Sequence, residues 1–234
     1  MLILGIETAT DHVGVAIGGH EGVRASAHVA RGRRHAETLA PTIDFVRRQA
    51  DIELRDLGAV TVDVGPGLFT GLRVGVTTAK TVAQALRLPM IGITSLDLLA
   101  FPVRFTSRLI AAAVDARRGE VFYALYRAVP GGVQQVVKPT VGPPDELASE
   151  IQARGGDWLL VGDGVLRWPE SFDKLDGVEV ADAALAYPSA ASLVELAHPR
   201  AIREEFVNPW ELEPVYLRPP DAQIDWAKIR EGAA

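Results

Sequence analysis

Leu2 to Ile6 is an unbroken apolar run, Thr8 to His12 is polar, and Val13 to Gly18 is apolar again. Both apolar runs are short and hold β-branched residues, so they predict two strands joined by a polar turn. Val23 to Val29 alternates apolar with small or polar residues, the pattern of a strand with one wetter face. At His35 the period changes. Leu39, Ile43, Val46 and Ala50 fall at helical spacing and predict a helix over 35–50. A strand over 60–64 follows, then a helix over 70–86 with Thr70 as its N-cap, a short strand over 89–93, and a helix capped by Thr94 or Ser95.

Beyond a border at 101–107 the pattern returns more loosely. Strands are predicted over 108–114, 121–127 and 133–137, a helix over 145–154, a strand over 158–161 and a helix over 189–198. The order β-β-β-α-β-α therefore occurs twice. An acid ends the first strand of each half, Glu7 in one and Asp115 in the other. The expected fold class is α/β, with two actin-like subdomains of the ribonuclease-H-like kind, each βββαβα. The expected division is 1–104 for the first, 105–218 for the second and 219–234 for a polar tail. Fold alone does not assign a function.

Residues 63–80, DVGPGLFTGLRVGVTTAK, carry the densest signal. A phosphate-binding P-loop needs a glycine directly before its lysine, so that backbone N–H groups can wrap a phosphate. Here Ala79 precedes Lys80, and Lys80 lies deep inside the predicted helix. A dinucleotide fingerprint fails as well, because position 70 is threonine. Gly71, Gly75, Ala79 and Ala83 recur every four residues and line one helix face. Such a strip permits close backbone approach, either to the chain's own sheet or to a helix of another subunit. From the pattern alone both remain open.

Composition removes several classes. The chain has 234 residues, a net charge of −6 and no cysteine. Thiolate catalysis, disulfides and thiolate metal sites are excluded. An acidic chain is poorly suited to grip nucleic acid over its whole surface; the basic run Arg31-Gly32-Arg33-Arg34 reads as a solvated loop. No apolar stretch has membrane-spanning length and the start lacks a signal-peptide pattern, so the default expectation is cytoplasmic. The five histidines never stand at i, i+4, so no helical pair can aim two imidazoles at one metal ion. No catalytic or metal-ligating residues are therefore assigned. Glu7, Thr8 and Thr10 are the candidate cofactor contacts, but the glycine of an actin-type phosphate loop is missing there.

GPGLFTGLRVGVTTAK resembles the signature of the TsaB (YeaZ) family. ILGIETAT at the start, HAETLAP, MIGITSLDLLA, VDARRGEVFYALY and EPVYLR follow in that family's order. The resemblance implies a non-catalytic scaffold subunit of the complex that places a threonylcarbamoyl group on N6 of adenosine 37 in tRNAs reading ANN codons. It implies pairing with the transferring paralogue TsaD, association with the ATPase TsaE, a homodimer when alone, tRNA met mainly through the complex, and no membrane. It implies no cofactor in the isolated chain, with ATP or ADP reserved for an interface. The implied partner interface is the first two helices, with His35, Leu39, Ile43, Val46, Phe69, Thr70, Gly71, Arg73, Val74, Gly75, Thr78 and Ala79. The alternative is a stand-alone actin-fold ATPase or phosphotransferase.

Overall fold

The computed structural model describes residues 1–30, 32 and 34–218. Arg31, Arg33 and the expected tail 219–234 lie outside the described residues. The first half runs β1 (Leu2–Glu7), β2 (Val13–Gly19), β3 (Gly22–Val29), α1 (His35–Gln49), β4 (Leu57–Asp63), α2 (Phe69–Leu86), β5 (Met90–Ile93) and α3 (Ser95–Ala100). The second runs β6 (Leu109–Arg117), β7 (Glu120–Val129), β8 (Gly132–Gly142), α4 (Pro144–Arg154), β9 (Trp158–Val161), α5 (Asp163–Arg167), β10 (Val178–Val180) and α6 (Ala190–Ile202). Both halves thus read βββαβαβα. The sequence pattern misses α5 and β10, which are too short to show a period.

The sheets have matching topology. One is ordered β3-β2-β1-β4-β5 and the other β8-β7-β6-β9-β10. The first three strands of each are antiparallel, and the last two join in parallel. Central strands are buried on both faces, which is why β1 reads as a continuous apolar run. The expected class, α/β with two actin-like halves, is the one found.

Each half lends the other a helix. On one face of the first sheet, Leu39, Ile43 and Val46 of α1 and Val76, Ala79 and Ala83 of α2 pack with Leu4, Ile6, Val60 and Val62. The opposite face, with Ile3, Ala16, Ala59 and Ile91, is covered by Leu193, Val194 and Ala197 of α6. Likewise Leu96, Leu99 and Ala100 of α3 cover Ile110, Ala112 and Val114 of the second sheet. The strands divide near residue 104, but the helices cross that line.

Two local expectations need correction. Thr70 does not cap α2: the N-cap is Leu68, without a side-chain cap. The Leu68 N–H is taken by the Ala9 carbonyl, and Leu72 N–H reaches back to Leu68, so the helix starts earlier. The helix after β5 begins as expected, with Thr94 Oγ1 accepting from Asp97 N–H.

Candidate functional site

The glycines of α2 answer to the turn after β1. A Cβ at Gly71 would stand 2.1 Å from the Thr8 carbonyl oxygen, and one at Gly75 would stand 2.1 Å from Thr8 Oγ1. Neither contact is possible for a real side chain, so glycine is required by close approach. Thr8 Oγ1 in turn donates to the Gly71 carbonyl at 2.9 Å. The strip of Gly71, Gly75, Ala79 and Ala83 is therefore buried inside the chain.

Much of the expected partner surface lies inside the fold. His35, Leu39, Ile43, Val46, Gly71, Gly75 and Ala79 are buried in the chain's own fold. Periodicity finds the apolar face of a helix but cannot say what covers it, and here the first sheet does. His35 Nε2–H donates to the Thr10 carbonyl at 2.7 Å and so pins the β1–β2 turn. Phe69, Thr70 and Arg73 are exposed, and Val74 and Thr78 partly so. Arg73, Val74, Thr77 and Thr78 face Ala36, Leu39 and Ala40 across a shallow groove between α1 and α2.

Glu7, Thr8 and Thr10 stand together at the β1–β2 turn, all buried. Glu7 Oε1 accepts the Ala9 N–H at 2.7 Å, and Thr10 Oγ1 accepts the His12 N–H at 3.3 Å. Beside them is a residue the sequence reading did not select. Asp63 ends β4, which pairs in parallel with β1 in register Ile6↔Val62. Its Oδ1 accepts from Gly65 N–H and from Ser95 Oγ, each at 2.7 Å. Asp63 Oδ2 and Glu7 Oε2 have no partner among the described residues. Burial pushes the Asp63 carboxyl up to about 7. Burial, then the Asp63 charge, push Glu7 well above the carboxylate range. The available signal was a carboxylate inside the apolar run 60–64.

Charged side chains of the two halves bridge the gap between the sheets. Arg117, on the β6–β7 hairpin, pairs with Asp11 of the β1–β2 turn and with Asp115, the latter at 3.0 Å. Asp115 N–H donates to Asp163 Oδ1 at 3.0 Å. Burial pushes the Asp163 carboxyl up to about 6. Gly162 and Gly164 seat α5 against β6: a Cβ at Gly162 would fall 2.0 Å from the Ala113 carbonyl oxygen. The His12 ring packs 3.9 Å from Tyr187 and 4.6 Å from His28, and burial holds both imidazoles below their ordinary pKa. The charges of the hairpin thus serve a bridge between halves as well as a wet turn.

Among the described residues, no group of three His, Asp or Glu side chains is arranged to hold a metal ion. No helix there is long and apolar enough to cross a membrane.

Comparison with known proteins matches this geometry. The family model for TsaD, tRNA N6-adenosine threonylcarbamoyltransferase, matches residues 28–226. The tRNA threonylcarbamoyladenosine biosynthesis protein TsaB of Escherichia coli K12 is 30% identical over 98% of both chains. Its Bacillus subtilis namesake is 28% identical, over 99% of this chain and all of the other. The solved YeaZ structure from Pseudomonas aeruginosa superposes with a TM-score of 0.81 at 28% identity, covering 92% of this chain and 99% of that one. An activator of 2-hydroxyisocaproyl-CoA dehydratase from Clostridium difficile, solved with bound ADPNP, shares the fold alone, with a TM-score of 0.52 at 11% identity. End-to-end likeness of sequence and a shared arrangement of both halves lead to one assignment: the chain belongs to the TsaB (YeaZ) family.

Proposed function

We propose that the chain acts in tRNA threonylcarbamoyladenosine biosynthesis as a non-catalytic subunit that organises the transferring subunit TsaD. The observation that carries this reading is the near-full-length likeness to relatives named for that pathway. Several groups at and around its polar turn are committed to the fold, although Glu7 Oε2 and Asp63 Oδ2 keep no partner among the described residues. Thr8 is bound to α2, His35 to Thr10, and Arg117 to Asp11 and Asp115, so these groups already answer one another. The docking face is the exposed side of α1 and α2, with Phe69, Thr70, Arg73, Val74 and Thr78, and not their buried apolar stripes. TsaE joins the assembly, and any ATP or ADP sits where subunits meet.

The test is reconstitution. Candidate partners, substrate tRNA, ATP, threonine and bicarbonate are combined with and without this chain, and modified adenosine is quantified. The scaffold reading expects modification only with the chain present, and none from the chain alone. Equal modification without it overturns the reading and returns weight to the stand-alone ATPase alternative, which tight ATP binding by the isolated chain would then support.

A further inference from the structure

The segment after α6, which ends in the motif EPVYLR at 213–218, touches both halves. Val207 N–H donates to the Met90 carbonyl at 2.9 Å and so bridges to the outer edge of β5. The N–H groups of Glu211 and Leu212 close a turn on the Asn208 carbonyl, and Leu212 drops into the first core, where it is 4% exposed. Gly92 makes room for it: a Cβ there would stand 3.2 Å from Leu212 Cδ1. Val215 N–H donates to the Val64 carbonyl at 2.7 Å, directly before the turn that leads into α2. At Arg218 the segment reaches the second half. There the guanidinium donates to the Ala116 carbonyl at 3.1 Å and pairs with Glu120 of β7.

Between these anchors Tyr216 meets Phe69, the first residue of α2, with ring centroids 5.3 Å apart. A helix start is ordinarily held by a side-chain cap that takes up free N–H groups. Leu68, the N-cap of α2, supplies none. The start is held from outside instead, by the Ala9 carbonyl on the Leu68 N–H and by the Tyr216 ring beside Phe69. Phe69 is 40% exposed, and its ring has Tyr216 and the Arg73 guanidinium, 4.1 Å from its centroid, as neighbours. We infer that residues 207–218 are a strap that sets the docking end of α2: Leu212 anchors it, the Arg218–Glu120 pair fastens it to the second half, and Tyr216 positions the Phe69 ring for the partner. The inference rests on the docking face proposed above. It makes Leu212 and Glu120, which belong to neither α1 nor α2, positioning residues for that face.

The test is calorimetric titration of the full chain with TsaD. Leu212→Ala removes the anchor, and Glu120→Lys turns the fastening pair into a repulsion. Each should raise Kd about fivefold, the order expected of residues that act through others. Leu212→Met, which keeps the volume, should restore most of the affinity. Phe69→Ala removes the ring on which the strap acts. In that background Leu212→Ala and Glu120→Lys should each add less than about twofold, a non-additivity that a general loss of stability does not produce. Wild-type Kd in both variants overturns the inference, and so do effects that simply add to that of Phe69→Ala. Should Leu212→Ala fail to fold, Glu120→Lys decides by the same two criteria. Should the wild-type chain not bind TsaD, the docking reading falls, and amide exchange followed by NMR decides the strap. Both variants should then speed exchange at Leu68 and Leu72 about tenfold relative to β1 and β4; unchanged exchange there overturns it.

Discussion

Asp63→Asn should make this protein more stable at neutral pH. The aspartate is fully buried, and Glu7, equally buried, is its neighbour at the ends of β1 and β4. Its carboxyl is shifted from 3.8 to about 7. A proton is therefore held by the folded state between those pH values and lost by the unfolded chain. Stability from this group is fully present below about pH 4 and declines as pH rises to about 7. About three pK units at 1.36 kcal/mol each give a loss of at most about 4 kcal/mol. Asparagine keeps the Oδ1 acceptor for Gly65 N–H and Ser95 Oγ. Its amide carries no charge and offers donors towards Glu7, which is thereby freed of a like charge. Urea unfolding of wild type and variant would be followed from pH 4.5 to 8.5. The variant should gain about 2–4 kcal/mol at pH 8, and the two curves should converge towards the acid end. Parallel curves across that range would refute a buried, proton-holding pair.

Other outcomes follow from the contacts above. Gly75→Ala should cost about 2–3 kcal/mol, because its Cβ meets Thr8 Oγ1; adding Thr8→Ala should restore a good part of it, a coupling that a double-mutant cycle reads directly. Arg117→Ala should cost about 1–2 kcal/mol, discounted because the side chain is 35% exposed, since Asp115 loses its closest cation; denaturant titration measures it. Ala40→Arg, on the open side of α1, should leave stability within about 0.5 kcal/mol yet weaken association with TsaD more than tenfold in calorimetric titration.

How far the sequence speaks depends on range. The first-half strands, helix α1 and the cap at Thr94 are written in local periods and local polar groups. The repeat is visible as order, although α5 and β10 are too short for a period to form. What covers an apolar stripe is not local. Leu39, Ile43 and Val46 look alike whether a sheet or a partner lies over them. The glycines at 71 and 75 signal close approach, but only the fold identifies Thr8 as the group approached. The Glu7–Asp63 pair joins residues far apart in the chain and exists only through the parallel register of β1 with β4. A charged residue closing each of two apolar runs was the one trace of it.

The exchange of α3 and α6 between the halves has a consequence during synthesis. When residues 1–104 have left the ribosome, the first sheet has α1 and α2 on one face, while Ile3, Ala16, Ala59 and Ile91 on the other wait for α6. That helix is among the last structured segments to emerge. The nascent first half must travel with an uncovered apolar face until Ala190–Ile202 arrive, which makes it a natural client for chaperones and ties completion of both halves to a single late event.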